Sequence, residues 1–195
     1  MLTALIPFAR VSAPNNDPAS AASTSTLSTQ YDYSDNPAIK SRGIATIDTI
    51  YGNHLLPKIF DSFGSHSADI QHMELFSVYG LYLSDFTVLT PIETELIVFV
   101  SILCTGLRGP SLWHVRGLGR LLGARGTDES AKDMGRIKDV IRNVKLAAMG
   151  VVEWCGEEYV RKSGVERGEG DGWPNVGDVS RELGGWGDDE GPKAS

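Results

Sequence analysis

Cysteine is almost absent from this chain of 195 residues: Cys104 and Cys155 are the only two, and they stand far apart. They form neither a C-x-x-C pair nor a metal quartet, which excludes a disulfide framework as the organising device. With no secretory leader, a reducing compartment and buried free thiols are expected. Long apolar runs are lacking too. The longest, Leu96 to Cys104, is interrupted by Ser101 and stops at Thr105 and Gly106, short of the roughly 18 residues that span a bilayer. No membrane partner is expected. There is no phosphate-binding P-loop, no G-x-G-x-x-G and no H-E-x-x-H, and His54, His66, His72 and His114 are scattered, so neither a metal nor another cofactor is expected. Positive charge is in deficit, with 18 Lys and Arg against 25 Asp and Glu and a net charge of -7, which argues against a general nucleic-acid binder. Arg136, Lys138, Arg142 and Lys145 alternate with Asp133 and Asp139 and read as a solvated face, not a phosphate track.

What is present is the composition of a globular protein, 41% hydrophobic and 22% charged, with length for one ordinary domain and one core. Residues 1–37 read as a disordered leader, rich in Ser, Thr, Asn and Pro from 13 to 36. The first residues, "MLTALIPFARVS", weakly resemble a mitochondrial presequence, but Pro7 and the single positive charge weigh towards a cytoplasmic location. Residues 163–195 hold nine glycines, and eight acidic residues against three basic ones. Such a stretch is expected to be a flexible tail without helix or strand. Trp173 and Trp186 are odd in a linker; they either dock onto the domain or a partner, or stand there by chance.

Residues 38–162 carry a helical pattern, and the fold class is all-α with five or six helices. In "IATIDTIYGNHLLPKIFDSF", Ile47, Ile50, Tyr51 and Leu55 share a face, and Pro57 is expected to bend or interrupt the helix. Ser67 is the candidate cap of the next helix, Thr90 of the one after, Pro110 the entry of the fourth and Thr127 the cap of the last. In that last helix Met134, Ile137, Ile141, Val144 and Ala148 form a narrow apolar seam suited to antiparallel packing or a subunit contact.

Within "VLTPIETELIVFVSIL", Thr90, Pro91 and Glu93 have the chemistry of a capped helix start, which accounts for Glu93. Glu95 has no such role. The "LIVFVSILC" that follows is apolar on nearly every side, so Glu95 either reaches back to solvent at the helix start or meets a partner inside. His114 in the following helix is a candidate partner at similar depth; the alternative is a solvent-facing His114 beside Trp113 and a surface ion pair for Glu95.

"IYGNHLLPKIFDSF", "SVYGLYLSD", "LTPIETELIVFVSIL" and "LWHVRGLGRLLGARGTDES", in that order and spacing, resemble the carboxymuconolactone decarboxylase and AhpD-like family, particularly its fungal branch. The resemblance covers residues 41 to about 150. It implies an all-helical fold that assembles into trimers or hexamers. In the AhpD branch a glutamate and a histidine relay protons to a C-x-x-C dithiol. Glu95 and His114 match that branch's spacing at 19 positions apart, but the cysteine positions fall at Leu107 and Pro110, which form no thiolate, so an AhpD-type antioxidant activity cannot run in that way. The decarboxylase branch lacks the dithiol, and its H-x-R-G run is matched by His114, Arg116 and Gly117. The resemblance therefore implies a non-redox lyase acting on a small carboxylic acid or lactone. His114 would transfer the proton, Glu95 would orient it and Arg116 would clamp the substrate carboxylate. For Arg116 the other reading is a solvated charge in series with Arg120. A catalytically silent scaffold that keeps the fold is a third possibility. Gly117, Gly119, Gly123 and Gly126 weaken the helix after His114 and point to tight packing or an early end.

Overall fold

The computed structural model describes residues 37–156 and 173–187. Among the described residues there are six α-helices and no strand, in agreement with the all-α class. The chain divides into two compact units, one ending at Leu89 and the other beginning at Thr90, where one core was expected. Each unit has its own buried side chains. The expected leader, except Pro37, and residues 163–172 and 188–195 of the expected tail lie outside the described residues.

In the first unit α1 (Pro37–Asp61) buries Ile47, Ile50 and Tyr51 on one side. Pro57 was expected to bend or interrupt it; the helix runs on through Pro57 and is kinked upstream of it. The break falls at Gly52, whose φ of 70° and ψ of 170° are open to a residue without a Cβ. A 3-10 turn at Gly64–His66 leads into α2 (Ser67–His72) and a π-helix over Met73–Leu83. Ser67 was the expected cap, but it already lies inside α2 behind His66. The π-helix packs on α1 at two glycines. A Cβ on Gly43 would stand 2.3 Å from the Leu75 carbonyl oxygen and 2.9 Å from the Gly80 nitrogen. Backbone meets backbone there, and Arg42 fastens the crossing by donating from Nε and Nη2 to the Gly80 carbonyl at 3.0 and 2.7 Å. Deeper in this unit the hydroxyls of Tyr79 and Tyr51 are hydrogen-bonded at 3.1 Å, with the two rings edge to face.

The second unit opens as its sequence requires. Thr90 caps α3 (Pro91–Cys104): its Oγ1 accepts from the Glu93 N–H, and Glu93 Oε2 accepts from the Thr90 N–H at 2.8 Å. The Thr90 backbone N–H foremost, and then the Thr90 hydroxyl, which donates to the same oxygen at 2.8 Å, hold the Glu93 carboxyl below its ordinary pKa. After Thr105, Gly106 and Leu107 comes α4 (Arg108–Leu121), which starts at Arg108 and not at Pro110. The last long helix, α5 (Lys132–Cys155), begins well after Thr127. Thr127 is therefore no cap; its Oγ1 donates to the Gly123 carbonyl within the connecting loop.

The expected flexible tail holds a further helix, α6 (Val176–Leu183), despite its glycines. Asn175 and Asp178 start it, with the Asn175 N–H donating to Asp178 Oδ2 at 2.8 Å, and Gly184 ends it at a φ of 77°. Trp173 and Trp186 flank this helix, and both are buried in the core of the unit with Val176 and Val179. They dock onto the domain. Each such side chain removed from water contributes roughly 1.5–3 kcal/mol, so residues 173–187 form a strap that completes the core. The rest of that core comes from Phe99 and Leu103 of α3, Leu112, Val115 and Leu118 of α4, and the row Met134, Ile137, Ile141 and Ala148 of α5. The seam read as a possible subunit contact is thus the inner face of its own unit.

Gly43→Ala is expected to destabilise the first unit by about 1–3 kcal/mol, because the neighbours of the new methyl are backbone and cannot swing aside. Gly135→Ala in α5, where a Cβ meets nothing within 4 Å, is expected to be neutral or to stabilise by up to about 1 kcal/mol. Thermal and urea melts of the two variants check the pair.

Candidate functional site

The capped start of α3 places Glu95 just beyond its first turn, where the side chain turns inward and retains 2% exposure. His114 on α4 is likewise 2% exposed, and its Nδ1 lies 2.8 Å from Glu95 Oε1. The starting point of α4 puts His114 deeper in its helix than Pro110 suggested, yet still opposite the carboxylate. The partner-inside reading holds for both residues, and neither the solvent-facing histidine nor the surface ion pair occurs. Which of the two atoms donates depends on the tautomer of the ring; a hydrogen on Nδ1 lets the Glu95 carboxylate accept it. A carboxylate orienting one ring nitrogen so that the other does proton chemistry is the arrangement general acid–base catalysis uses. The same bond ties α3 to α4 inside an apolar core. Removing one partner of such a pair costs about 3–5 kcal/mol.

Arg116, two residues further along α4, has a different use from the expected carboxylate clamp. Its Nε donates to the Gly185 carbonyl at 2.8 Å, and its Nη2 donates to the carbonyl of Gly187. Arg120 donates from Nη1 to the Trp186 carbonyl at 3.1 Å. Both arginines are buried, so the solvated series is also absent. Together they hold three successive carbonyls of the strap against α4. Between them lies Gly119, whose missing side chain makes room for the Trp186 ring: a Cβ there would stand 2.1 Å from Trp186 Cζ3. The glycines of this helix had pointed to tight packing or an early end, and at Gly119 tight packing is the answer.

Glu129 anchors the strap from the loop before α5. Its Oε1 accepts from Trp186 Nε1 at 3.1 Å and from Ser180 Oγ at 2.7 Å, and its Oε2 accepts from Lys138 Nζ. Burial works against the Glu129 charge, but these donors outweigh it and hold the carboxyl below its ordinary pKa. On the other side Arg108 donates to both carboxylate oxygens of Glu182, at 2.8 and 2.7 Å, and to Asp178 at 3.1 Å. The Arg108 bonds lower the Glu182 pKa, against a smaller opposing effect of burial. Glu129 and Arg108 went unnoticed in the sequence, and Arg120 was read only as a solvated charge, because their partners in the strap lie some 50 to 75 residues away, as with Glu182 at 74. The Asn175-to-Asp178 capping pattern was the one local signal available. A pocket of about 370 Å³ is lined by Arg108, Asn175, Asp178, Arg181 and Glu182. It belongs to the strap, and neither Glu95 nor His114 lines it.

Of the two thiols, Cys104 is half-buried and Cys155 exposed. Burial, and secondarily the nearby Cys155, push the Cys104 thiol up, away from the thiolate form that reacts. Among the described residues no group of three or more His, Cys, Asp and Glu is placed to hold a metal ion, and no helix is long and apolar enough to cross a membrane. Compared with family models, characterised proteins and solved structures, the chain finds no match. The likeness to carboxymuconolactone decarboxylases therefore rests on its motifs alone.

Glu95→Leu and His114→Leu are each expected to lower stability by about 3–5 kcal/mol, whereas the double replacement recovers much of that loss because no buried polar group is left alone. Urea denaturation of the three variants measures the coupling. Acid should loosen the strap. The Glu129 and Glu182 pKa values are depressed on folding, so their contribution is complete above the unfolded value of about 4.3 and is lost as pH falls through the lower folded values. Indole fluorescence is expected to shift red over that range before global unfolding, with a smaller change in Glu129→Gln.

Proposed function

We propose that the chain is a non-redox enzyme of carboxymuconolactone decarboxylase type, in which Glu95 orients His114 for proton transfer to a small carboxylic acid or lactone. The observation that carries this reading is the 2.8 Å contact between His114 Nδ1 and Glu95 Oε1, by which a carboxylate orients an imidazole for proton transfer. As the bond to the departing carboxylate breaks, its electron pair remains on carbon, and His114 supplies the proton that replaces CO2. Arg116 takes part only as a positioning residue. By holding the strap to α4 it fixes the helix that carries His114, and the group that binds the substrate carboxylate is a different one. An antioxidant activity of AhpD type is disfavoured by Leu107 and Pro110 at the dithiol positions and by the raised Cys104 pKa.

One observation favours a second reading. With both members of the pair 2% exposed, Glu95 and His114 also suit a lock between two helices of a catalytically silent scaffold.

The two readings separate in one assay. Unsaturated lactone acids incubated with the full chain are followed for CO2 release and, in parallel, for thermal shift. Turnover that falls about a hundredfold or more in His114→Gln and Glu95→Gln, with fold retained, supports the enzyme. No turnover and no thermal shift with the wild type, whatever the acid, leaves the scaffold.

A further inference from the structure

The pocket at the start of the strap is walled by charge. It holds about 370 Å³ and is lined by Arg108 of α4 and by Asn175, Asp178, Arg181 and Glu182 of the strap; among the described residues no apolar side chain lines it. Four of these groups close a ring in which cation and anion alternate. Asp178 accepts from Arg108 at Oδ2 and from Arg181 at Oδ1, while Glu182 accepts from Arg108 at both oxygens and from Arg181 at Oε1. Two guanidiniums against two carboxylates leave the ring without net charge. Its floor is fixed: the Asp178 side chain is 6% exposed and that of Arg108 14%, and beside them Lys145 Nζ donates to Asn175 Oδ1 at 2.8 Å. A wall ordered in this way before any ligand arrives spares the ligand the cost of ordering it.

We propose that this pocket binds a free α-amino acid with a polar side chain. The site shares no residue with the Glu95 and His114 pair, so it stands whether or not that pair turns over a substrate. The ring is closed but not saturated. A carboxylate accepts about four hydrogen bonds, and each of these two has three in use: Asp178 from Arg108, Arg181 and the Asn175 N–H, and Glu182 from Arg108 twice and from Arg181 once. Arg181 spends only Nη2 on the ring, so among the described residues its Nε and Nη1 hydrogens are open, and at 67% exposure it stands at the mouth. Open donors thus lie beside open acceptors. An anion alone meets the two carboxylates and a cation alone meets the two guanidiniums, whereas a neutral ligand carrying ammonium and carboxylate answers both. Because Arg181 already touches both acids, the two charges of the ligand have to sit close together, as they do in an α-amino acid and not in a long-chain ω-amino acid. The remaining space faces the Asn175 amide and no apolar group, which selects a polar side chain over an aliphatic one. The ring joins α4 to α6, so occupancy also holds the strap on its unit.

Thermal shift and NMR titration of the full chain test this, with L-asparagine, L-leucine, acetate, methylammonium and ε-aminocaproate each taken to about 20 mM at constant ionic strength. L-Asparagine is expected to saturate, to raise Tm and to move the Arg181 Nε–H resonance. L-Leucine should bind at least about threefold more weakly, and the other three probes should leave both readouts unchanged. Arg181→Gln should weaken L-asparagine binding by about tenfold or more, with its own melt showing that the fold is kept, since Arg181 is 67% exposed. No response of the wild type to L-asparagine overturns the proposal. So does an equal response to acetate, methylammonium or ε-aminocaproate, which needs no variant to read, and so does undiminished binding to folded Arg181→Gln, which puts the amino acid elsewhere. L-Leucine binding as tightly as L-asparagine rejects the polar side chain.

Discussion

A carboxylate withdrawn from water has to be met by a donor, and in the second unit that requirement binds two helices. α3 is apolar on nearly every side beyond its cap, so Glu95 has little choice but to find its partner in the protein. His114 on the neighbouring helix provides it. The interaction fixes the register of α3 against α4, and everything attached to α4 takes its position from there: Arg116 and Arg120 along the helix, the strap carbonyls they hold, and the Trp186 ring over Gly119. One hydrogen bond thus links a polar demand near the start of α3 to the docking of a segment far along the chain. The same bond has the chemistry that the proposed proton transfer requires.

Local chemistry was legible in the sequence wherever the interaction is short-range. The Thr90, Pro91 and Glu93 cap stands where the pattern placed it, and the Met134, Ile137, Ile141 and Ala148 row is buried. Glu95 and His114 were found because a charge inside an apolar helix is costly enough to demand a partner, and a histidine lay at matching depth in the next helix. The errors follow from the same range limit. Pro57 was expected to bend or interrupt α1, and the kink falls upstream of it, at Gly52, which has no Cβ to oppose a positive φ. The tail was read as unstructured on its glycine content. Yet Gly184 is the residue that ends α6, and Trp173, Val179 and Trp186 gain more by burial than the glycines lose in order.

Arg116 shows why a motif by itself does not fix a role. The H-x-R-G run predicts a cation beside the histidine, and a cation is there, but the fold turns its guanidinium to the main chain of residues 185 and 187. Whether an arginine faces a ligand or a carbonyl depends on what long-range packing brings to it. No local pattern holds that information. Glu129 makes the same point, since its partners arrive from the strap and from α5.

The strap also bears on how the molecule is made. Trp186 is wedged over Gly119 and Arg108 is tied to Glu182, contacts that join the fourth helix to residues synthesised long afterwards. A nascent chain that has emerged only as far as the end of α5 holds an open cleft where Trp173, Val179 and Trp186 will go. The second unit therefore reaches its native packing only once residues 173–187 have been made and can cover those side chains.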